Sequence, residues 1–255
     1  MAVAVGSQMP VDGHTRRGAV LPAAFERALS QTFVAFQPIV SWRDRAVYGF
    51  EALVRANGRP LAGAEALVRA AESAGSMRVL GRTVRGAVAK VACSAPDDAV
   101  FFVNVHADEL LDPELAAPLS PLSLVAPRVV LELTEQAMVG RGPELRERLA
   151  ELRRLGYRIA VDDLGAGYSS LDLLAEIRPD FVKLDMSLVR RLDRDERRRR
   201  IVGHLLALLE DLGTKAVAEG VESAGERDAL LDLGSPLLQG YLFGAPRPGL
   251  EQPRW

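Results

Sequence analysis

From residue 32 onward the chain repeats one pattern, a short run of β-branched and aromatic residues followed by a longer stretch with apolar residues at helical spacing. Strand-like runs alternating with amphipathic helices restrict the fold to a largely parallel sheet covered by helices. The strand runs read FVAFQPIV, AVYGFEALV, AVFFVNV, RVVLEL, YRIAVD, DFVKLD, TKAVAEG and LLQGYLF. Between the fourth and fifth, PELRERLAELRRLG sets Leu145, Leu149, Leu152 and Leu155 on one face, starts with Pro143 and stops at Gly156. A second helix is expected over about residues 194–212, with Ile201, Leu205, Leu208, Leu209 and Leu212 as its apolar stripe and Gly213 as its stop. Its opening RDERRRR mixes acids with arginines and reads as a solvated helix face. SAGE at 223–226 has the spacing of a capping box and starts a further helix. Spread over about 225 residues, this alternation suits a (β/α)8-type barrel better than an open doubly wound sheet, which is the alternative.

Composition narrows the function. Of 255 residues, 48% are apolar and 26% charged, enough to bury a large core. A formal charge of −2 and a pI near 6.0 supply no basic field for a nucleic acid polymer, although a small anionic ligand is compatible. One cysteine, Cys93, excludes an internal disulfide framework and a thiolate metal cage, and fits a reducing, cytoplasmic setting. No apolar run approaches the roughly 18–20 residues of a spanning helix, so membrane insertion is not expected. Residues 1–30 are expected to form a flexible N-terminal tail, and 31–255 the folded domain.

The chemistry lies where barrel sites gather, at the C-terminal ends of strands. Glu51 follows AVYGF, Asn104 ends AVFFV, Glu132 lies inside VVLELTE, Asp162 and Asp163 close RIAVDD, and Glu219 closes TKAVAEG. Charged groups in otherwise apolar strands are costly to bury unless they are paired or bound to a metal. Brought to one mouth, five carboxylates stay ionised only if positive charge offsets them, and oxygen ligands suit hard cations such as Mg²⁺ or Mn²⁺. With only three histidines, a site built on imidazole is not expected. His106, near Asn104, reads as structural, and His204 as an ordinary helix position. Lys183, inside FVKLD, either neutralises the acids or orients or deprotonates a water beside the cations and stabilises phosphate charge.

EALVR, VNV, ELTE, DDLGAGYSS, FVKLD, AEGVE and QGYLF occur in one order at fitting intervals. Together they resemble the EAL-domain cyclic-di-GMP phosphodiesterases, from about Phe36 to Pro246. The resemblance implies a modified TIM (β/α)8 barrel that hydrolyses one phosphodiester bond of cyclic-di-GMP to linear pGpG with two Mg²⁺ or Mn²⁺ ions. It implies Glu51, Asn104, Glu132 and Asp162 as ligands of one metal, and Asp162, Asp163 and Glu219 at the second. It further implies Lys183 as the catalytic lysine, with Glu222 and Gln239 as the polar residues that position it, the waters and the second metal. Gln37, Arg55 and Asp185 fall at substrate-binding positions, and Glu135 where a glutamate anchors the loop after the aspartate pair. It leaves room for a homodimer.

Departures from the family pattern are Leu164 for Phe, Ala166 for Thr, His106 for Ser, Ala56 for Trp and Met186 for Arg, together with a shorter segment after Arg55. They leave the metal set intact and bear on substrate affinity and loop closure. The alternative readings are a catalytically weak receptor that binds cyclic-di-GMP and signals through a protein partner, and an interaction scaffold that no longer binds nucleotide.

Overall fold

A computed structural model of the chain describes residues 23–57, 63–134, 142–165 and 171–255. Strands β1 (Thr32–Ser41), β2 (Ala46–Ala56), β3 (Val100–Asn104), β4 (Val129–Thr134), β5 (Arg158–Leu164), β6 (Phe181–Leu184), β7 (Lys215–Ala218) and β8 (Leu237–Gln239) close into one barrel in sequence order. From β2 to β8 each strand pairs in parallel with the next. The first strand departs from this and pairs antiparallel with both β2 and β8. Residues 42–45 alone join β1 to β2, far short of the dozen or so that a parallel crossover needs. The chain therefore turns back as a hairpin, and the fold is a modified TIM barrel rather than an open sheet.

Period-two alternation layers the barrel interior. Ile39, Phe102, Val130, Ala160, Phe181, Val217 and Leu237 form an inner apolar cluster, with Phe102 and Phe181 edge to face at 5.2 Å. Two residues further along β3 to β8, on the same face, stand Asn104, Glu132, Asp162, Lys183, Glu219 and Gln239. Because β1 runs the other way, it reaches this second layer two residues before Ile39, at Gln37, which pairs with Glu51 of β2. Gly49, two residues before Glu51, leaves room at the lower layer, since a Cβ there would lie 2.7 Å from the Val100 carbonyl. Each fully buried aliphatic or aromatic side chain contributes roughly 1.5–3 kcal/mol, and the apolar layer offsets the cost of the polar one above it.

Outside the strands, a larger apolar core lies under the helices. The Gly142–Arg154 helix buries Leu145, Leu149 and Leu152, as its spacing predicts. The Glu196–Asp211 helix corrects the expected stripe: it buries Val202, Leu206 and Leu209, while Ile201, Leu208 and Leu212 are 54%, 37% and 53% exposed. The aliphatic residues of this helix define two overlapping stripes, and packing against the barrel selects one. Residues 23–30 also correct an expectation, forming a helix with Phe25 and Ala28 buried rather than a continuation of the tail. Residues 1–22 lie outside the described residues. Among the described residues, no helix is long and apolar enough to cross a membrane.

Candidate active site

The polar layer forms one connected network at the C-terminal mouth of the barrel. Lys183 Nζ lies 2.7 Å from Glu219 Oε1, 2.8 Å from Glu132 Oε1, 3.2 Å from Asp162 Oδ1 and 3.3 Å from Glu51 Oε1. Asn104 Nδ2 bridges two of these acids, donating to Glu51 Oε1 at 3.1 Å and to Glu132 Oε2 at 3.0 Å. Gln239 Nε2 donates to Glu51 Oε2 at 2.5 Å and to Gln37 Oε1 at 3.1 Å. Gln37 is oriented in turn by donating to the Gly244 carbonyl at 3.0 Å. This chain of donors fixes both amides, and it leaves Gln239 Oε1 buried with no hydrogen-bond partner among the described residues.

Local backbone geometry aims the aspartate pair. Asp163 adopts φ 60°, unusual for a residue other than glycine, and its N–H donates to Asp162 Oδ1 at 3.0 Å. Without that reversal, alternation along β5 would point the two carboxylates to opposite faces of the sheet. As it is, oxygens of Asp162, Asp163 and Glu219 lie within 4.8 Å of one another, a grouping able to hold a cation. The following Gly165 has φ 109°, and a Cβ there would lie 2.6 Å from Leu188. Leu164 is buried in β5, and its carbonyl accepts from the Asp185 N–H.

Protonation follows from this crowding. Burial opposes charge on Lys183, but Asp162, Glu132, Glu219 and Glu51 together hold its ammonium well above the usual lysine range. Burial pushes Glu132 well up against the opposing pull of Lys183. Burial likewise pushes Glu219 to about 8, with Lys183 opposing and the charges of Asp162 and Glu51 adding to the rise. Asp163 is raised by burial and then by Asp162. Glu51 moves down: burial is outweighed by Lys183 and by the hydrogen bonds from Gln239 and Asn104. The protein alone cannot keep all these acids ionised.

A cavity of about 430 Å³ opens above the network, lined among others by Gln37, Glu51, Asp163, Asp185, Glu219, Glu222 and Gln239. Asp185 also caps the short helical turn that follows it, accepting from the Ser187 N–H at 2.9 Å. Not every expected residue meets Lys183. Glu222 pairs with Arg190 rather than with Lys183, and Gln239 holds Glu51 rather than Lys183. The Arg55 guanidinium donates to the Val54 carbonyl at 2.8 Å and does not line the cavity. Glu135 and Ala166 lie outside the described residues. His106 is structural, as expected: its Nδ1 accepts from the Asp108 N–H at the start of a helical turn, and its Nε2 lies 3.4 Å from Glu72. Sequence reading missed Arg190, Leu53, Met186 and Tyr241 in the cavity wall. The signal for Arg190 and Met186 was their place just after KLD, on the segment leaving the mouth of β6.

The sequence matches the model of one protein family, described as EAL domain, over residues 21–246. It is 38% identical over 149 residues to the cyclic di-GMP phosphodiesterase RocR of Pseudomonas aeruginosa, covering 57% of this chain and 38% of that protein. It is 31% identical over 234 residues to the cyclic di-GMP phosphodiesterase PdeR of Escherichia coli, covering 88% of this chain and 35% of that protein. The chain thus spans little more than a third of the length of these relatives. In structure it is similar to a calcium and cyclic-di-GMP complex of BlrP1 from Klebsiella pneumoniae, with a TM-score of 0.80, 28% identity, and coverage of 92% of this chain and 64% of that one. It is also similar to the cyclic-di-GMP-bound form of a standalone EAL protein from Vibrio cholerae, with a TM-score of 0.75, 27% identity, and coverage of 88% of this chain and 95% of that one.

Proposed function

The chain belongs to the EAL domain family, and on that premise we propose that it hydrolyses one phosphodiester bond of cyclic-di-GMP to give linear pGpG, using two Mg²⁺ or Mn²⁺ ions. The observation that carries the reading is the charge imbalance of the polar layer. One ammonium, Lys183, faces Glu51, Glu132, Asp162 and Glu219, and Asp163 adds a fifth carboxylate. Hard cations fit this donor set, which is all oxygen and includes Gln239 Oε1, buried without a hydrogen-bond partner among the described residues. Glu51, Asn104, Glu132 and Asp162 would hold one ion, and Asp162, Asp163 and Glu219 the other. Bound there, the ions supply acidification of a water and neutralisation of charge on the phosphoryl oxygens.

The chain's own residues do the rest. Lys183, set among four of these carboxylates, orients or deprotonates a water and donates to phosphate oxygen. Gln239 and Asn104 hold Glu51 in one orientation. Gln37 and Asp185 face the cavity as substrate contacts, and Glu222 stands at its rim to orient water. No covalent nucleophile is required. A second reading, a catalytically weak receptor for cyclic-di-GMP that signals through a protein partner, is favoured by Arg55 lying away from the cavity and Glu222 lying on Arg190.

The protein also forms a homodimer in this reading. Ile201, Leu205, Leu208 and Leu212 make an apolar stripe with Arg197 near one end and Asp211 near the other. Antiparallel pairing of two such helices about His204 sets Arg197 of each copy opposite Asp211 of the other. A cytoplasmic setting without a nucleic acid polymer completes the proposal, in keeping with an unpaired Cys93 and a net charge of −2. Chromatography of products after incubation with cyclic-di-GMP and Mn²⁺ tests the activity. Stoichiometric pGpG is expected, binding without pGpG moves the assignment to the receptor, and absence of both binding and turnover overturns both readings.

A further inference from the structure

We infer that Arg190 is the phosphate-engaging arm of the cavity, parked on Glu222 until a phosphodiester displaces that carboxylate. The inference rests on the proposed cyclic-di-GMP reading and names a residue which that reading leaves out. Among the described residues, six charged side chains line the cavity, Glu51, Asp163, Asp185, Glu219, Glu222 and Arg190, and five of them are acids. A cyclic dinucleotide carries two phosphates. Cations at the carboxylate network can serve the scissile one, but the other must lie against a wall that is otherwise negative. Lys183 cannot reach it, being 1% exposed beneath the acids that surround it. The Arg55 guanidinium donates to the Val54 carbonyl and is not among the residues lining the cavity.

Arg190 meets the requirements of chemistry and placement. Its backbone is fixed, the N–H donating to the Met186 carbonyl at 2.9 Å and the carbonyl accepting from the Arg198 guanidinium. The side chain is free to exchange partners, because both members of its ion pair are partly exposed, Arg190 at 29% and Glu222 at 45%. Exposed pairs of this kind are weak, whereas a guanidinium binds phosphate through two parallel hydrogen bonds. Gly220 sets the spacing: with φ 65° and no Cβ, it lets the loop carrying Glu222 pass over Met186, where a Cβ would come within 2.5 Å.

Kinetics and binding on Arg190→Ala, Arg190→Lys and Glu222→Gln decide the matter. Arg190→Ala is expected to raise KM for cyclic-di-GMP about tenfold with kcat within about threefold of wild type, and Arg190→Lys to recover part of the loss. Calorimetry with Ca²⁺ in place of Mn²⁺ reads affinity separately from turnover. There, Arg190→Ala is expected to weaken cyclic-di-GMP binding by a similar factor, while Glu222→Gln, which frees the guanidinium, is expected to tighten it. An arginine that only neutralises Glu222 would give the opposite result, unchanged affinity in Arg190→Ala, and that result overturns the inference. If wild-type protein makes no pGpG, the functional reading fails, and the calorimetric comparison still decides the role of Arg190.

Discussion

Four carboxylates within 3.3 Å of one ammonium make Lys183 the tie that holds the cluster together, and the proposed function adds a second duty, donating to water or phosphate at the mouth of the barrel. Lys183→Met removes both. Turnover of cyclic-di-GMP should fall about 10²–10³-fold, and metal-free protein should lose about 3 kcal/mol of stability, because acids as buried as Glu132 are left without their partner. Thermal melts in EDTA and then in Mn²⁺ check this, and recovery on adding Mn²⁺ is the expected result. A further prediction follows from Glu219, which burial raises to about 8 from 4.5. Between those values the folded state holds a proton that the unfolded state has released, so this group favours folding less as pH rises. In EDTA, Glu219→Gln should therefore melt above wild type by about 2–4 °C at pH 8, and the difference should shrink towards pH 5. A difference that does not change with pH would contradict the assignment. These acids were legible in the sequence because each interrupts an apolar strand. The fold-back of Asp163 was not, since its left-handed backbone depends on how β5 meets its neighbours.

The elements that hold the site owe their placement to a buried ionic cluster as well as to apolar packing. Arg85 of the Met77–Ala92 helix pairs with Glu109 and with Asp112, the latter at 2.8 Å, tying that helix to the segment just beyond Asn104. Burial pushes Glu109 up to about 7 despite Arg85, and the hydrogen bond from Arg82 holds Asp112 down to about 2. Gly81 makes the close approach available, since a Cβ there would overlap the Glu109 carboxylate. Gly81→Ala should cost about 1–3 kcal/mol, measurable by chemical unfolding, and an unchanged midpoint would show that the helix shifts at no cost. At this scale most of the barrel was readable, because period two and period 3.6 separate strands from helices. The reversal of β1 was encoded only in the shortness of SWRDRA. The expected strand LLQGYLF ends at Gln239, because Gly240 packs directly on the Val221 backbone. Which face of the Glu196–Asp211 helix docks could not be read from its spacing, since its aliphatic residues cover both.

For the whole molecule, that same helix carries the prediction about assembly. Leu208→Glu places a charge in the apolar stripe one turn from His204, the centre of the proposed antiparallel pairing, and should convert a dimer to a monomer in light scattering. Arg197→Asp combined with Asp211→Arg should retain the dimer, because the opposed charges are only exchanged. A wild-type monomer at high concentration would remove the proposal. In the proposed function, strand-end carboxylates make the barrel mouth a two-cation phosphodiesterase centre. It is tested most directly by stripping the protein with EDTA and following pGpG formation from cyclic-di-GMP as Mn²⁺ is restored. No turnover is expected in EDTA, with recovery that saturates at two ions per chain. Undiminished turnover in EDTA, or no pGpG with both ions bound, would contradict it.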